Sequence, residues 1–216
     1  MKEKNLDRTV IVLVRHGECR GNREGLFRGR SNFPLNRIGL SQARELAKEI
    51  KPLSPDKIFT SPLSRARQTA EAINQECNSE IEVREGMNNI ELGPWEGKAK
   101  EYIAEKYPEQ WQLWLNEPEK MMVPGMEPLD KVQQRAHADL NDIIQHYSGK
   151  TIIIVSHRAV LKPLIACCIR INKPYFWRIH LDTASYSIMH FDKLRGFILA
   201  QLNQNRHLKE FISEWQ

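Results

Sequence analysis

Apolar runs of strand length alternate with longer amphipathic segments along the chain. Runs such as Val10–Val14 and Ile152–Val155 contain no polar residues, so we expect strands that are buried on both faces. The predicted strands are Thr9–Val14, Lys57–Thr60, Ile81–Arg84, Thr151–Val155, Tyr186–Phe191 and one near Phe197–Leu202. The predicted helices are Arg37–Ile50, Ser64–Asn74, Lys98–Lys106, Pro108–Leu115, Leu129–Tyr147 and Ala159–Ile169. This alternation predicts the α/β class, with a doubly wound, mostly parallel sheet.

One stretch, from about residue 95 to about residue 129, does not follow this alternation of strand and helix patterns. It holds three of the five tryptophans and four prolines, namely Pro108, Pro118, Pro124 and Pro128. We predict a helical insertion here that covers one edge of the sheet. A length of 216 residues suits one α/β domain, so residues 1–216 are expected to form a single domain that includes the insertion.

The composition, 41% apolar and 27% charged, is that of an ordinary globular protein. No apolar run approaches the ~18 residues that a membrane helix needs, and the polar first residues do not resemble a secretory signal. The four cysteines lack the CxxC spacing of a zinc site, which favours buried thiols in a reducing compartment. We therefore expect a cytoplasmic protein with no membrane partner.

The net charge of +5 is concentrated near the N-terminus. Six arginines lie between residues 15 and 37, against two acidic residues. Arginine binds phosphate or carboxylate through a planar fork, which suits a small anionic ligand. Nucleic acid is the alternative for a basic protein, but the basic stretch shows neither helical periodicity nor regularly spaced aromatic residues. We expect no nucleic-acid partner.

Basic side chains follow three of the predicted strands at the point where each strand ends. Arg15 and His16 follow the first strand, Arg65 lies shortly after the second, and His157 follows the Thr151 strand. Ligands of open α/β sheets bind beyond the carboxyl ends of the strands, so we expect these four side chains in one crevice. A single histidine after a strand more often makes a turn hydrogen bond. Two histidines with several arginines are too positive for a protein core.

Phosphoryl transfer is the chemistry that such a crevice suits. Arg15 and Arg65 can hold the oxygens of a phosphomonoester, and one histidine can attack phosphorus through a neutral ring nitrogen while the other donates to the transferring group. Gly17 lets the backbone approach the phosphate closely. No carboxylate cluster with ligand spacing is visible, so we expect neither a metal nor another cofactor.

The motifs together resemble the histidine phosphatase superfamily, also called phosphoglycerate mutase-like. They are Arg15-His16-Gly17-Glu18, Ser61-Pro62-Leu63-Ser64-Arg65, Leu92-Gly93-Pro94-Trp95-Glu96-Gly97 and Val155-Ser156-His157. The resemblance implies a three-layer α/β/α sandwich and a cofactor-free reaction. It also implies that His16 is transiently phosphorylated, that Arg15, Arg65 and His157 bind the phosphoryl group, and that Asn22 assists.

One departure from the family pattern concerns the proton donor to the leaving group. The family usually has Glu where this chain has Asn89, and an amide cannot donate as an acid. Glu91 would point to the same side in an extended segment and is our candidate proton donor. A solvated surface position is the alternative for Glu91.

Three further residues are candidate contacts to the substrate. Arg28 and Arg158 replace the common Gln and Gly of the family, and both can bind a second anionic group. A salt bridge at the rim is the alternative for Arg158. His207 can reach a substrate carboxylate or can cap a helix.

The resemblance favours a phosphatase, because the longer loop typical of the mutases is not seen in the sequence. Segments near residues 105–109, 182–187 and 202–208 are similar to those of the metal-independent phosphoserine phosphatases. The hypothesis is a histidine acid-type phosphatase acting on a small phosphorylated substrate. Phosphoserine is the leading candidate substrate. The alternatives are α-ribazole phosphate and a broad range of phosphate esters. The alternatives are a phosphate-binding pseudo-enzyme, suggested by Asn89, and a phosphoglycerate mutase. A homodimer is left open.

Overall fold

A mixed sheet forms the centre of the computed structural model, which describes residues 8–214. Within those residues the strands are β1 (Thr9–Arg15), β2 (Lys57–Thr60), β3 (Ile81–Val83), β4 (Thr151–Ser156), β5 (Tyr186–Asp192) and β6 (Gly196–Gln204). Their order across the sheet is β3-β2-β4-β1-β5-β6. The first four strands in this order are parallel, whereas β5 and β6 pair in antiparallel fashion. The predicted mostly parallel α/β sheet is therefore confirmed.

The helices follow the predicted pattern with small shifts at their ends. They are α1 (Arg20–Arg23), α2 (Arg37–Ile50), α3 (Ser64–Cys77), α4 (Lys100–Lys106), α5 (Pro108–Asn116), α6 (Leu129–His146) and α7 (Arg158–Cys168). Helix α3 continues three residues beyond the prediction, to a left-handed Asn78 that ends it. Helix α1 was not predicted, because four residues are too few to show a periodic pattern.

Two apolar clusters cover the two faces of the sheet. On one face, Val12 and Val14 of β1 pack with Leu46 of α2 and Ile73 of α3. On the other face, the alternate β1 residues pack against α6 and α7, as Leu13, Leu140 and Leu164 do. Both faces of β1 are thus buried, as its unbroken apolar run predicts. The result is the predicted α/β/α sandwich.

The segment predicted as a helical insertion contains α4, α5 and short 3-10 turns. Its tryptophans pack around Phe27, whose ring centroid lies 4.9 Å from that of Trp95 and 5.3 Å from that of Trp114. Trp114 also contacts the ring of Phe176, at 5.4 Å. This aromatic cluster lies beside the carboxyl end of β1, where Trp114 and Phe176 form part of a cavity wall. No helix within residues 8–214 combines the length and apolar character that crossing a membrane requires.

The loop after β1 lies directly against the first turn of α2. Asn36 caps this helix, because its side chain accepts a hydrogen bond of 2.8 Å from the Gly39 N–H. A Cβ at Gly39 would lie 1.9 Å from the carbonyl oxygen of Glu18, and one at Gly17 would lie 2.7 Å from the carbonyl oxygen of Gly39. Two glycines therefore allow this close approach, which fixes the backbone that carries His16.

Replacing Gly39 with Ala is expected to destabilise the protein, although Ala is the better helix former by about 1 kcal/mol. The methyl group would overlap the backbone of Glu18, and we expect the free energy of unfolding to fall by about 1–3 kcal/mol. Urea denaturation measures this change. The control is Ser41→Ala, at an exposed position of the same helix. A Gly39→Ala protein as stable as the Ser41→Ala protein would refute the close approach.

Candidate active site

The ends of β1 and β4 bring Arg15, His16 and His157 to one small cavity. Arg15 and Ser156 are partners in the parallel register, so the residues that follow them lie side by side. The ring centroids of His16 and His157 are 5.0 Å apart. The cavity holds about 50 Å³ of free space. It is lined by Arg15, His16, Leu26, Phe27, Arg28, Gly29, Asn89, Ile90, Leu92, Lys100, Trp114, His157, Arg158, Ala159 and Phe176.

The His16 ring is held in one tautomer by its own chain. Its Nδ1 lies 2.7 Å from the carbonyl oxygen of Gly17. Because a carbonyl oxygen only accepts hydrogen bonds, Nδ1 carries the proton. Nε2 of the neutral ring consequently keeps its lone pair, which is the form a nucleophile needs.

Both histidines are buried, and their surroundings favour the neutral form. Burial lowers the pKa of His16 well below the ordinary value of 6.5, and the charges of Arg65 and Arg15 lower it further. Burial also lowers the pKa of His157, again with help from Arg65. Both imidazoles are therefore neutral near pH 7.

His157 occupies the position before the first residue of α7, where the helix dipole favours anions. Its Nε2 lies 2.7 Å from Oγ of Ser61, the residue that follows β2. Its Nδ1 is buried, and no hydrogen-bond partner for it exists among residues 8–214. A buried polar atom of this kind is a natural contact for an oxygen atom of a bound ligand.

Two buried guanidinium groups are held by backbone carbonyls. Arg65, in the first turn of α3, donates to the carbonyl oxygens of Ser31 at 2.9 Å and Gly29 at 2.8 Å. Arg15 donates to the carbonyl oxygen of Leu181 at 2.7 Å. Burial lowers the pKa of Arg65 to about 10, so it stays charged near neutral pH. The Nε atoms of Arg15 and Arg65 have no partner within the part of the chain that the structure describes.

Gly17 and Asn22 lie beside these groups. The Gly17 N–H donates to Oγ1 of Thr69 at 3.1 Å, and that hydroxyl donates to the carbonyl oxygen of Arg65 at 2.8 Å. Thr69 thus joins the loop of His16 to the helix of Arg65. Sequence reasoning assigned Thr69 no role. The buried Asn22 accepts a 3.0 Å hydrogen bond from the Cys19 N–H through its side-chain oxygen, and its amide group donates to Glu214.

A second set of cations lines the cavity. Arg28 donates to the carbonyl oxygens of Gly21 and Leu26 at 3.0 and 3.1 Å. Arg158 lies over the Trp177 ring, and burial lowers its pKa to about 10. Lys100, which sequence reasoning missed, also lines the cavity, and burial and then Arg158 lower its pKa. No motif marks Lys100, because it lies in a helix far from any strand end.

The structure places Asn89 in the cavity wall but brings neither Glu91 nor His207 to the cavity. The Asn89 amide donates to the carbonyl oxygen of Gly29 at 2.7 Å. The Glu91 side chain is 55% exposed and lies 3.7 Å from Arg30. Residues 89–92 form neither helix nor strand, so the alternation of an extended segment does not orient Glu91. His207 lies 3.1 Å from the carbonyl oxygen of Ala184 through its Nε2.

Glu214 is the acidic residue that contacts the site, and sequence reasoning missed it. Its carboxylate accepts from Arg15, from Asn22 at 2.9 Å and from Arg28 at 3.3 Å. Its main-chain oxygen accepts from Arg158 at 2.9 Å. Burial acts to raise the pKa of Glu214, but the three arginines outweigh burial and hold it well below the ordinary value. Glu214 lies outside every motif and family-like segment quoted from the sequence, so no sequence signal marked it.

Across residues 8–214, no group of three or more His, Cys, Asp or Glu side chains is placed to hold a metal ion. The cavity itself is lined by the two imidazoles and by cationic, amide and apolar groups.

Comparison with known proteins identifies relatives that match almost the whole chain. The family model of the histidine phosphatase superfamily (branch 1) matches residues 11–205. Phosphoserine phosphatase 1 of Hydrogenobacter thermophilus is 33% identical over 204 residues, which cover 94% of this chain and 96% of the relative. These matches confirm the resemblance that the motifs predict.

Solved structures give the same result. YhfR of Bacillus stearothermophilus is 29% identical, with a TM-score of 0.88 over 93% of this chain and 100% of that one. A phosphoserine phosphatase mutant of Entamoeba histolytica in complex with phosphoserine is 27% identical, with a TM-score of 0.83 over 93% of this chain and 99% of that one.

The buried histidines should make the free energy of unfolding depend on pH. The unfolded chain takes up a proton near the ordinary histidine pKa of 6.5, whereas folded His16 and His157 stay neutral below it. Stability should therefore fall as the pH falls, by about 1.4 kcal/mol for each histidine between about pH 7.5 and pH 5.5. Urea denaturation of His16→Gln should show a pH dependence smaller by that amount. The exposed control, His146→Gln, should behave as the wild type. An unchanged pH dependence in His16→Gln would contradict the neutral buried ring.

Proposed function

We propose that this chain, which belongs to the histidine phosphatase superfamily, is a cofactor-independent phosphomonoesterase that works through a phosphohistidine on His16. The observation that carries the proposal is the neutral His16 ring, with its Nδ1 bound to Gly17 and its Nε2 unprotonated, beside buried arginines. The phosphoserine phosphatases among its relatives support this assignment.

In the first step, the Nε2 lone pair of His16 attacks phosphorus, and the bond from phosphorus to the leaving oxygen breaks. Arg15 and Arg65 balance the charge on the non-bridging oxygens, because their anchored guanidiniums need not move during the reaction. The Nδ1 side of His157 is a further contact for these oxygens. In the second step, water attacks the phosphohistidine, inorganic phosphate leaves, and His16 returns to its neutral form.

The leaving oxygen needs a proton when the alcohol is a poor leaving group. The family position for the acid is Asn89, whose amide can donate a hydrogen bond but cannot transfer a proton. Glu91 is outside the cavity. The proposed enzyme therefore acts best on esters whose alcohol leaves readily. This missing acid also supports the second candidate function, a protein that binds phosphate esters without turning them over.

The cations beyond the phosphoryl site indicate the class of substrate. Arg28, Arg158 and Lys100 line the cavity in addition to the groups assigned to phosphate. A phosphomonoester that carries a carboxylate would place its second negative charge among them. Phosphoserine carries such a carboxylate and is the leading metabolite candidate, although we expect slower turnover of its alkyl ester than of an activated aryl ester. A panel of phosphoserine, α-ribazole phosphate and p-nitrophenyl phosphate tests this choice.

Replacing His16 with Ala should lower turnover by about 10⁴-fold or more, because no neighbouring group can accept the phosphoryl group. Wild-type enzyme mixed with radiolabelled substrate and quenched in alkaline denaturant should retain label that acid then releases, as expected of a phosphohistidine. Both experiments are run in EDTA, because the proposed reaction needs no metal. His146→Ala, at an exposed position outside the site, is the control. Wild-type turnover in His16→Ala, or label retained by it, would rule out this nucleophile.

Introducing an acid at residue 89 should restore proton donation. We expect Asn89→Glu to raise turnover of alkyl phosphates by about 10²–10⁴-fold and to change turnover of aryl phosphates little, since aryl oxides leave without a proton. Steady-state rates with phosphoserine and p-nitrophenyl phosphate measure the ratio of alkyl-phosphate to aryl-phosphate turnover. Glu91→Gln is the control and should leave the ratio unchanged, because that carboxylate points to Arg30. Equal wild-type rates on both esters, with no gain in Asn89→Glu, would contradict this account.

A further inference from the structure

Residues 205–214 form a closing segment that ends at the candidate active site. Leu208 of this segment is buried in the apolar cluster under α2 and α3. Gln42 of α2 donates to the carbonyl oxygen of Glu210 at 3.0 Å, and Ser213 donates to the carboxylate of Asp182 at 3.1 Å. These contacts lie outside the cavity, so the closing segment is held to the body of the protein independently of the cations in the site.

The last described residue of the closing segment binds the groups that the proposed function assigns to the phosphoryl group. The Glu214 carboxylate accepts hydrogen bonds from one Nη of Arg15 and from the side-chain amide of Asn22. The other Nη of Arg15 is already bound to the carbonyl oxygen of Leu181. A phosphoryl oxygen and the Glu214 carboxylate cannot both occupy the same donors.

Glu214 is also held by the second set of cations. Arg28 donates to its carboxylate at 3.3 Å, and Arg158 donates to its main-chain oxygen at 2.9 Å. One residue thus contacts three arginines that line the cavity. Its negative charge offsets part of the positive charge that would otherwise be buried there without a partner.

The small size of the cavity indicates that the site is closed to substrate in this structure. The free space of the cavity is about 50 Å³. Pockets that hold small-molecule ligands usually enclose about 300–1,000 Å³. The cavity must therefore open before a phosphomonoester can enter.

We propose that Glu214 is an internal competitor, a carboxylate that occupies the phosphoryl site of the empty enzyme and leaves when substrate binds. The proposal rests on the site that the proposed function assigns, and it adds a resident anion to that site. The fraction of molecules with the site vacant sets the apparent affinity, because a ligand binds more weakly in proportion to that fraction. The closing segment thereby raises the concentration of substrate that the enzyme needs.

The test measures binding of inorganic phosphate by isothermal titration calorimetry, which requires no turnover. Glu214→Gln keeps the shape of the side chain and removes its charge, so its competition with phosphate should weaken. We expect phosphate to bind Glu214→Gln about tenfold or more tightly than wild type, which corresponds to about 1.4 kcal/mol. A chain that ends at Ile212 should show the same gain. The matched control is Glu210→Gln, whose carboxylate is exposed and contacts Arg23 outside the cavity, and it should bind phosphate as the wild type does.

Unchanged or weaker phosphate binding by Glu214→Gln and by the shortened chain would overturn the proposal, because Glu214 would then not compete with the anion. Selective loss of kcat for alkyl phosphates in Glu214→Gln would also overturn it, since the carboxylate would then be an acid in the reaction. Tighter phosphate binding without any hydrolysis would uphold the competition and reject the phosphatase. Absence of phosphate binding in every protein would reject both.

Discussion

Positive charge buried near the carboxyl ends of three parallel strands is the constraint on which this site depends. Arg15, Arg65 and Arg158 are almost fully removed from water, and buried charges are costly unless they are paired and hydrogen-bonded. Backbone carbonyls supply part of the compensation at Arg15 and Arg65. An anion must supply the rest, and in this structure Glu214 does so. Burial keeps His16 unprotonated, and the same positive field that attracts an anion lowers its pKa further.

The fold produces this field through local features of the chain. The register between β1 and β4 places Arg15 beside Ser156, and the next residue of each strand is a histidine. Gly39 allows the loop after β1 to lie against α2, and Thr69 joins that loop to the helix of Arg65. The backbone that carries His16 is thus held by β4, by α2 and by the helix of Arg65.

Much of the fold and the centre of the site could be predicted from the sequence, because both follow from short-range patterns. Unbroken apolar runs mark buried strands, and basic residues directly after them must meet at one edge of the sheet. The orientation of Glu91 could not be predicted, because its segment is irregular. Lys100 and Glu214 reach the cavity through tertiary packing of segments that carry no motif. His207 shows the converse, since a residue in a family-like segment lies outside the cavity.

The central claim is that the site keeps His16 as a neutral ring with its proton on Nδ1. Nitrogen-15 NMR of histidine-labelled protein, with the His16 signals assigned by comparison with His16→Gln, measures this state directly. We predict one protonated nitrogen, Nδ1, and one unprotonated nitrogen, Nε2, through neutral pH and below the ordinary histidine pKa of 6.5. An imidazolium with both nitrogens protonated near pH 7, or a proton on Nε2, would contradict the account.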